Sequence, residues 1–439
     1  MEYRVIPIGE KLRRFRDRYG LNQDELVGTD ITRNLISQIE NSKAKLTRST
    51  AEIVIKHATE KLKEKNIALD MDIEYLLEDE ETQARKILDT FIDELRKLAE
   101  NKDVRYVESF KKVEEFLLEW NFIDKKIIIC EITGDYFYST NDFSKASLYY
   151  ENTKCLMNLD MKTQPLIPLL QKLSNTYYFM GNLREGINTC NYALDRFPEM
   201  DNEKKIGFLF NIGLYYNHLQ EYEKSIEYID KVMKLVSSST KGYTQVLLLR
   251  ASNLRSIKSY EETLNIYNEL IEMTDSKDYG HRAVYYNNIC ETYIDFQQFD
   301  TANKYLSLIL DYIPLIQKDF IMLPHIYFDV AKRYLSLKDI EKSIIFFKEA
   351  LDQAKVFKYS LIIKDILHEI VHIPNYTIDI DIKNEYKQLL IETKTLDNVL
   401  FIDILKYFTS LDDKESVLEL CDFCRTNFEN IKEGSGIDV

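Results

Sequence analysis

GDYFYSTNDFSKASLYY, residues 134–150, decides how the chain reads. Gly134, Phe137, Asn141, Phe143, Ala146 and Tyr150 set an order: small residue, aromatic, turn position, aromatic, second small residue, apolar residue. The order recurs as Ser174, Tyr177, Gly181, Leu183, Gly186 and Cys190, and as Gly213, Tyr216, Gln220, Tyr222, Ser225 and Ile229. Three more copies follow, from Ala251 to Tyr267, Cys290 to Leu306 and Ala331 to Phe347. Apolar spacings of three and four within each copy predict two helices. Small residues let the two helices approach closely, and the aromatics fill the gap to the next pair. Such a pair buries its faces only against neighbours, so the copies must stack into an array with a concave inner surface.

The pattern resembles the tetratricopeptide repeat, in six copies over residues 127–357. Its period, near forty residues, exceeds the usual value of about 34, and longer helices are expected to account for the excess. Residues 358–439 continue as helical repeats, with VLFIDILKYFTSLDDKESVLELCDFC as a terminal pair that caps the array and IKEGSGIDV as a frayed tail. Residues 67–126 read as a helical linker or degenerate first pair, with Trp120 in its core.

Ahead of the repeats stands a different pattern, IGEKLRRFRDRYGLNQDELVGTDITRNLISQIENSKAKLTRSTAEIVIKHATEKLKEK, residues 8–65. Ile8, Leu12, Phe15 and Tyr19 mark an amphipathic helix ended by Gly20. Asn22 caps a short second helix, Gln23 to Val27, with Asp24 and Glu25 in its first turn, where the helix dipole favours negative charge. Thr32 caps a third helix whose Leu35, Ile36 and Ile39 face inward while Arg33, Asn34, Ser37 and Gln38 face out. A fourth starts near Thr47 or Ser49.

This layout, through IGEKLRRFRDRYGLNQDEL and TRNLISQIEN, resembles the phage-repressor-like (XRE) helix-turn-helix over residues 1–66. Ser42 departs from it, standing where the family usually has Gly, so a slightly different loop is expected. The resemblance implies double-stranded operator DNA as a partner. Arg33, Asn34 and Gln38 would meet base edges, Gln23 would sit at a helix N-terminus beside a phosphate, and Thr32 and Ser37 complete the DNA-binding set. Lys43, Lys45 and Arg48 would neutralise backbone charge. The fold class is therefore all-α: an N-terminal helix-turn-helix domain followed by a tetratricopeptide-like right-handed α-solenoid.

Charge agrees with that division. The net charge is −15, yet residues 1–66 hold 14 Lys and Arg against 10 Asp and Glu, a basic head on an acidic body. No secretory leader and no membrane-spanning apolar run is visible, and six irregularly spaced cysteines suit reduced thiols. A cytoplasmic location is expected.

In such arrays the first helix of each pair lines the concave face. Residues flanking the first small residue then become ligand candidates: Gln171, Lys172 and Asn175; Phe210, Asn211 and Leu214; Asn287, Asn288 and Glu291; Phe328, Asp329 and Lys332. Asn217, Arg255 and His325 lie further along the same helices. Asparagine is a modest helix former, and its amide both donates and accepts, as an extended peptide backbone requires. A helix-turn-helix head on such a body resembles the Rap/Rgg/NprR/PlcR/PrgX class of peptide-pheromone receptors. The resemblance implies a homodimer that binds a short signalling peptide through Gln171, Asn175, Asn211, Asn217, Arg255, Asn287, Asn288 and Lys332.

Two other readings compete: a repeat scaffold controlled by a protein partner, and a metallopeptidase built on His368-Glu-Ile-Val-His372. Against the peptidase, Pro374 follows where that helix normally continues, Asp365 replaces the usual upstream residue, and nothing marks Glu392 as a third ligand. Cys421 and Cys424 form a CxxC with no second pair. No cofactor, metal or catalytic residue is expected.

Overall fold

The structure, a computed structural model, describes residues 4–28, 30–70, 72–159, 166–237, 241–373, 380–393 and 396–434. Among these residues every regular element is a helix, and the chain divides into two compact units, Met1–Tyr215 and Tyr216–Val439.

In the first unit, α1 (Ile8–Arg18), a 3-10 turn (Gln23–Leu26), α2 (Arg33–Glu40), α3 (Arg48–Glu64) and α4 (Ile73–Leu77) form the head. Then come α5 (Glu80–Glu100), α6 (Tyr106–Glu119), α7 (Ile123–Ser139), α8 (Phe143–Leu159), α9 (Leu166–Phe179) and α10 (Leu183–Arg196). α11 (Asn202–His218) carries the division between the units. The second unit continues with α12 (Tyr222–Met233), α13 (Lys241–Ser256), α14 (Tyr260–Met273), α15 (Tyr279–Asp295) and α16 (Phe299–Tyr312). It ends with α17 (Leu323–Ser336), α18 (Ile340–Phe357), α19 (Ser360–Val371), α20 (Ile382–Thr393), α21 (Asn398–Ser410) and α22 (Lys414–Gly434). No described helix is long and apolar enough to cross a membrane.

The repeat turns are built alike. Asn141, Gly181, Gln220, Lys258, Gln297 and Lys338, the six turn positions read from the sequence, all have φ between 59° and 74°. At each, the next amide reaches back to an earlier carbonyl, as Asp142 N–H does to Phe137 (2.9 Å) and Asp339 N–H to Tyr334 (2.9 Å). These are Schellman closures, which satisfy helix carbonyls that would otherwise lack partners. Asp412 (φ 54°) repeats the device between α21 and α22. The small residues are buried, and at Gly134 an added Cβ would stand 2.5 Å from the Tyr150 ring. The period's excess comes partly from longer helices, 17 residues each in α7, α8, α11 and α15 and 18 in α18. The rest lies after second helices, as in residues 313–322.

The head's core takes in Leu12, Phe15, Leu26, Ile36, Ile39, Val54 and Leu62, as the spacing implied. Asn22 and Glu25 close a capping box over the 3-10 turn, a tighter element than the expected α-helix, and the Thr32 hydroxyl caps α2. Gly9 lets α1 and α2 touch, since a Cβ there would lie 2.2 Å from the Ile39 carbonyl oxygen. Ser42 takes φ 58°, the left-handed conformation that glycine adopts at lower cost.

Within residues 67–126, read as a helical linker or degenerate first pair, the first part packs with the head and α5 and α6 follow as two helices. Leu76 is fully buried in the head core, with Leu69, Ile73 and Leu77 packed against it. Lys11, its side chain wholly buried, donates to the carbonyl oxygens of Tyr75 (2.8 Å) and Glu78 (3.0 Å) and pairs with the Glu78 carboxylate at 3.4 Å. Gln83 exchanges hydrogen bonds with the backbone of Ile6. The head therefore runs through about residue 79 and rests on the start of α5. Asp70, Asp72, Glu74, Glu78 and Asp79 then belong to it, and they cancel its basic excess. Trp120 is half-buried after α6, its ring 6.3 Å from Phe122, not in the core. Of the tail, Ile431–Gly434 continue α22, and residues 435–439 lie outside the described residues.

Two substitutions test the α1–α2 contact and the following loop in opposite directions. Gly9→Ala should destabilise the head by about 1–3 kcal/mol through overpacking against backbone. Ser42→Gly should stabilise it by up to about 1 kcal/mol by relieving the left-handed strain. Hydrogen exchange across α1–α3 in both variants reads the two effects.

Candidate functional site

On α2, Thr32, Arg33, Asn34 and Gln38 are exposed and Ser37 is half-buried. The exposed Arg33 guanidinium sits 3.3 Å from Asp24, while the Asn34 and Gln38 side chains make no hydrogen bond among the described residues. Lys43 and Lys45 follow, both exposed. The Gln23 amide donates one hydrogen bond to Glu40 at 2.8 Å. The exposed Arg48 reaches both carboxylate oxygens of Glu74 through Nη2, at 2.7 and 2.9 Å. Glu40, almost fully buried, is the head's polar centre. It takes Gln23 on one oxygen and Arg16 on the other (2.8 Å), tying α1, the 3-10 turn and α2 together.

In the first unit, the ligand candidates of α9 and α11 bond to neighbouring first helices. Lys172 bridges Glu131 (2.9 Å) and Asp135 (2.8 Å) on α7, and the Asn211 amide donates to the Asn175 carbonyl at 3.0 Å. Gln171 is half-buried and faces Gly207, where a Cβ would stand 3.5 Å from its amide.

The second unit has the denser set, on the face made by α13, α15, α17 and α19. Asn217 donates to Asn253 at 2.9 Å. Arg255 pairs with Glu291, which also takes Arg333 at 3.1 Å. Asn287 donates to Asp329 at 2.8 Å, and Lys332 lies 3.4 Å from Glu369. Asn288 is half-buried. Asn287 itself is 2% exposed, so it is enclosed instead of lining the face openly, and its Oδ1 finds no protein donor. Arg333 Nε and His325 Nδ1 are likewise buried without a partner among the described residues.

Burial opposes ionisation of Glu291, but Arg333 and Arg255 outweigh it and hold the carboxyl below the usual range. At Asp329 burial wins, and with Glu291 nearby it raises the carboxyl to about 6 against the pull of Arg333 and Lys332. Burial also lowers the His325 imidazole.

Asn253, Arg333 and Glu369 were missed from the sequence. Asn253 and Arg333 stand two residues after the small residue, a register buried throughout as Tyr136, Thr176, Tyr215, Asn253, Thr292 and Arg333. A polar residue in that row is the signal that would have found them. At the HExxH stretch Glu369 lies 3.4 Å from Lys332, while His368 and His372 group with Asp403. Pro374 lies outside the described residues.

A tetratricopeptide repeat model matches residues 206–235. By sequence, no curated protein matches the chain. Among solved structures, the chain is similar to a tetratricopeptide repeat protein from Parabacteroides merdae (19% identity, TM-score 0.47, 64% of this chain and 97% of that one). It is also similar to the apo quorum sensor NprR from B. thuringiensis (15%, 0.45, 96% and 99%) and to a Rap protein complexed with Competence and Sporulation Factor (14%, 0.43, 80% and 99%).

A pH experiment tests the enclosed carboxyl. The Asp329 value in the fold lies above that of an unfolded aspartate, so its protonated form stabilises the fold below about pH 4. That stability is lost as pH rises through about 6. Urea denaturation between pH 4 and 7 should show this fall in the parent protein, and Asp329→Asn should remove it.

Proposed function

We propose that the chain is a DNA-binding transcription regulator controlled by a short peptide. The head reads an operator through α2, and the first-helix face of the second unit holds the peptide. Arg33, Asn34 and Gln38 supply forked donors and acceptors of the kind that discriminate base edges, with Lys43 and Lys45 placed for phosphates. One observation carries the peptide assignment. Asn287 Oδ1, Arg333 Nε and His325 Nδ1 are buried polar atoms on α15 and α17 without partners among the described residues, and a peptide backbone offers both donors and acceptors. Control requires that the peptide favour one arrangement of a dimer bound to a two-fold DNA site; equal affinity for both arrangements would switch nothing. Action in the cytoplasm belongs to the same proposal.

A scaffold binding a folded partner has its own support, since many polar side chains of that face already bond to one another. Native mass spectrometry of protein purified from its own host separates the two. A bound species of about five to ten residues, lost on Asn288→Ala or Lys332→Ala, supports the peptide reading, and a bound folded protein overturns it. Operator binding should weaken by about 1–3 kcal/mol in Arg33→Ala with relaxed base preference, whereas Lys45→Ala should reduce the salt slope by about 1. Unchanged DNA affinity in Arg33→Ala would remove α2 as the reading helix.

A further inference from the structure

His368 in the last turn of α19 and His372, its C-cap, stand one turn apart, which puts both imidazoles on one face, with ring centroids 4.6 Å apart. Asp403 on α21 meets them. Its Oδ2 lies 3.8 Å from His368 Nε2 and 3.6 Å from His372 Nε2. Both separations are too long for hydrogen bonds. They are close to what two donors on one ion require, since bonds of about 2.0–2.2 Å at tetrahedral angles place donors about 3.3–3.6 Å apart.

The surroundings aim these atoms. His372 Nδ1 lies 2.7 Å from the His368 carbonyl oxygen. A carbonyl only accepts, so Nδ1 carries the proton and the lone pair of Nε2 is turned toward Asp403. Lys406 holds the other carboxylate oxygen at 3.1 Å, which leaves Oδ2 for the imidazoles. The imidazoles are about half exposed and Asp403 only 14%, an arrangement open to solvent on one side and anchored on the other. The Nε2 lone pair of His372 thus faces Asp403 Oδ2, with His368 Nε2 also 3.8 Å from that oxygen and all three donors within 4.8 Å of one another, a grouping that a cation would bridge.

We propose that His368, His372 and Asp403 bind one divalent transition-metal ion of the Zn2+ type, as a clasp between α19 and α21. Imidazole with a single carboxylate suits zinc, copper or nickel better than calcium or magnesium. Glu369 lies 3.4 Å from Lys332 and is not among the donors, so the proposal concerns binding of the ion by these three side chains alone. The clasp occupies the place in its helix pair that ion pairs such as Arg333–Glu291 occupy elsewhere on the same face.

Calorimetric titration of the chelator-treated full chain with ZnCl2 should show one equivalent bound and a rise in melting temperature. Asp403→Asn and His372→Ala should each weaken binding at least about tenfold and abolish the rise, while Cys421→Ser should keep both. Because the variants could perturb folding, Cu2+ electron paramagnetic resonance on the parent protein decides independently, and coupling to two imidazole nitrogens is expected. The proposal is overturned by no stoichiometric zinc, by binding that survives both substitutions or depends on Cys421, or by a copper spectrum without two nitrogens.

Discussion

A helix pair in this protein exists only if the chain can reverse within a few residues and the two helices can then lie almost in contact. Both conditions fall on single positions. The reversal needs one residue at positive φ, and from Asn141 to Lys338 that residue closes a hydrogen bond that would otherwise be missing at the helix end. The approach needs small side chains, as where Gly134 admits the Tyr150 ring. Five of the six turn residues are not glycine, so most copies carry local backbone strain that packing must offset.

These two constraints are short-range, and so they were legible in the sequence. The rows of turn and small residues could be written down from spacing alone, and the caps at Asn22 and Thr32 likewise rest on neighbours two or three residues away. What could not be read depends on partners far along the chain. Lys11 sits in a charged run that reads as a solvated helix face, yet α4 covers it completely. The head was ended near residue 66, where the helix-turn-helix resemblance stops, and nothing local says that Leu69, Ile73 and Leu76 join its core. Arg333 was passed over because its register is otherwise a core position, and a buried guanidinium makes sense only once Glu291 is beside it.

The polar face of the second unit unites two properties that are usually separate. Its side chains are largely matched to one another, which holds successive first helices in register, yet a few buried atoms are left over. A ligand entering such a surface exchanges existing bonds instead of filling an empty cavity. The gain per contact is then small, and selectivity comes from how many of the left-over atoms one ligand can reach at once. The carboxyl of Asp329, held to about 6, lies within this set, so the face changes its own charge over a mildly acidic range.

The seating of the head on α4 and α5 bears on how the first unit folds. Within the repeats, helices meet partners close in sequence, and even the bonds between successive first helices span few residues, 36 between Asn175 and Asn211. Lys11 reaches Glu78 across 67 residues, and Ile6 reaches Gln83 across 77. Closing the longer loops costs more chain entropy, and the reward comes only after α3 and α4 have formed. Hairpins of the repeats can therefore form independently and early, while seating of the head on α5 is a late, high-contact-order event. When a full chain refolds, this order leaves the α1 lysine in water until the pieces that cover it are in place.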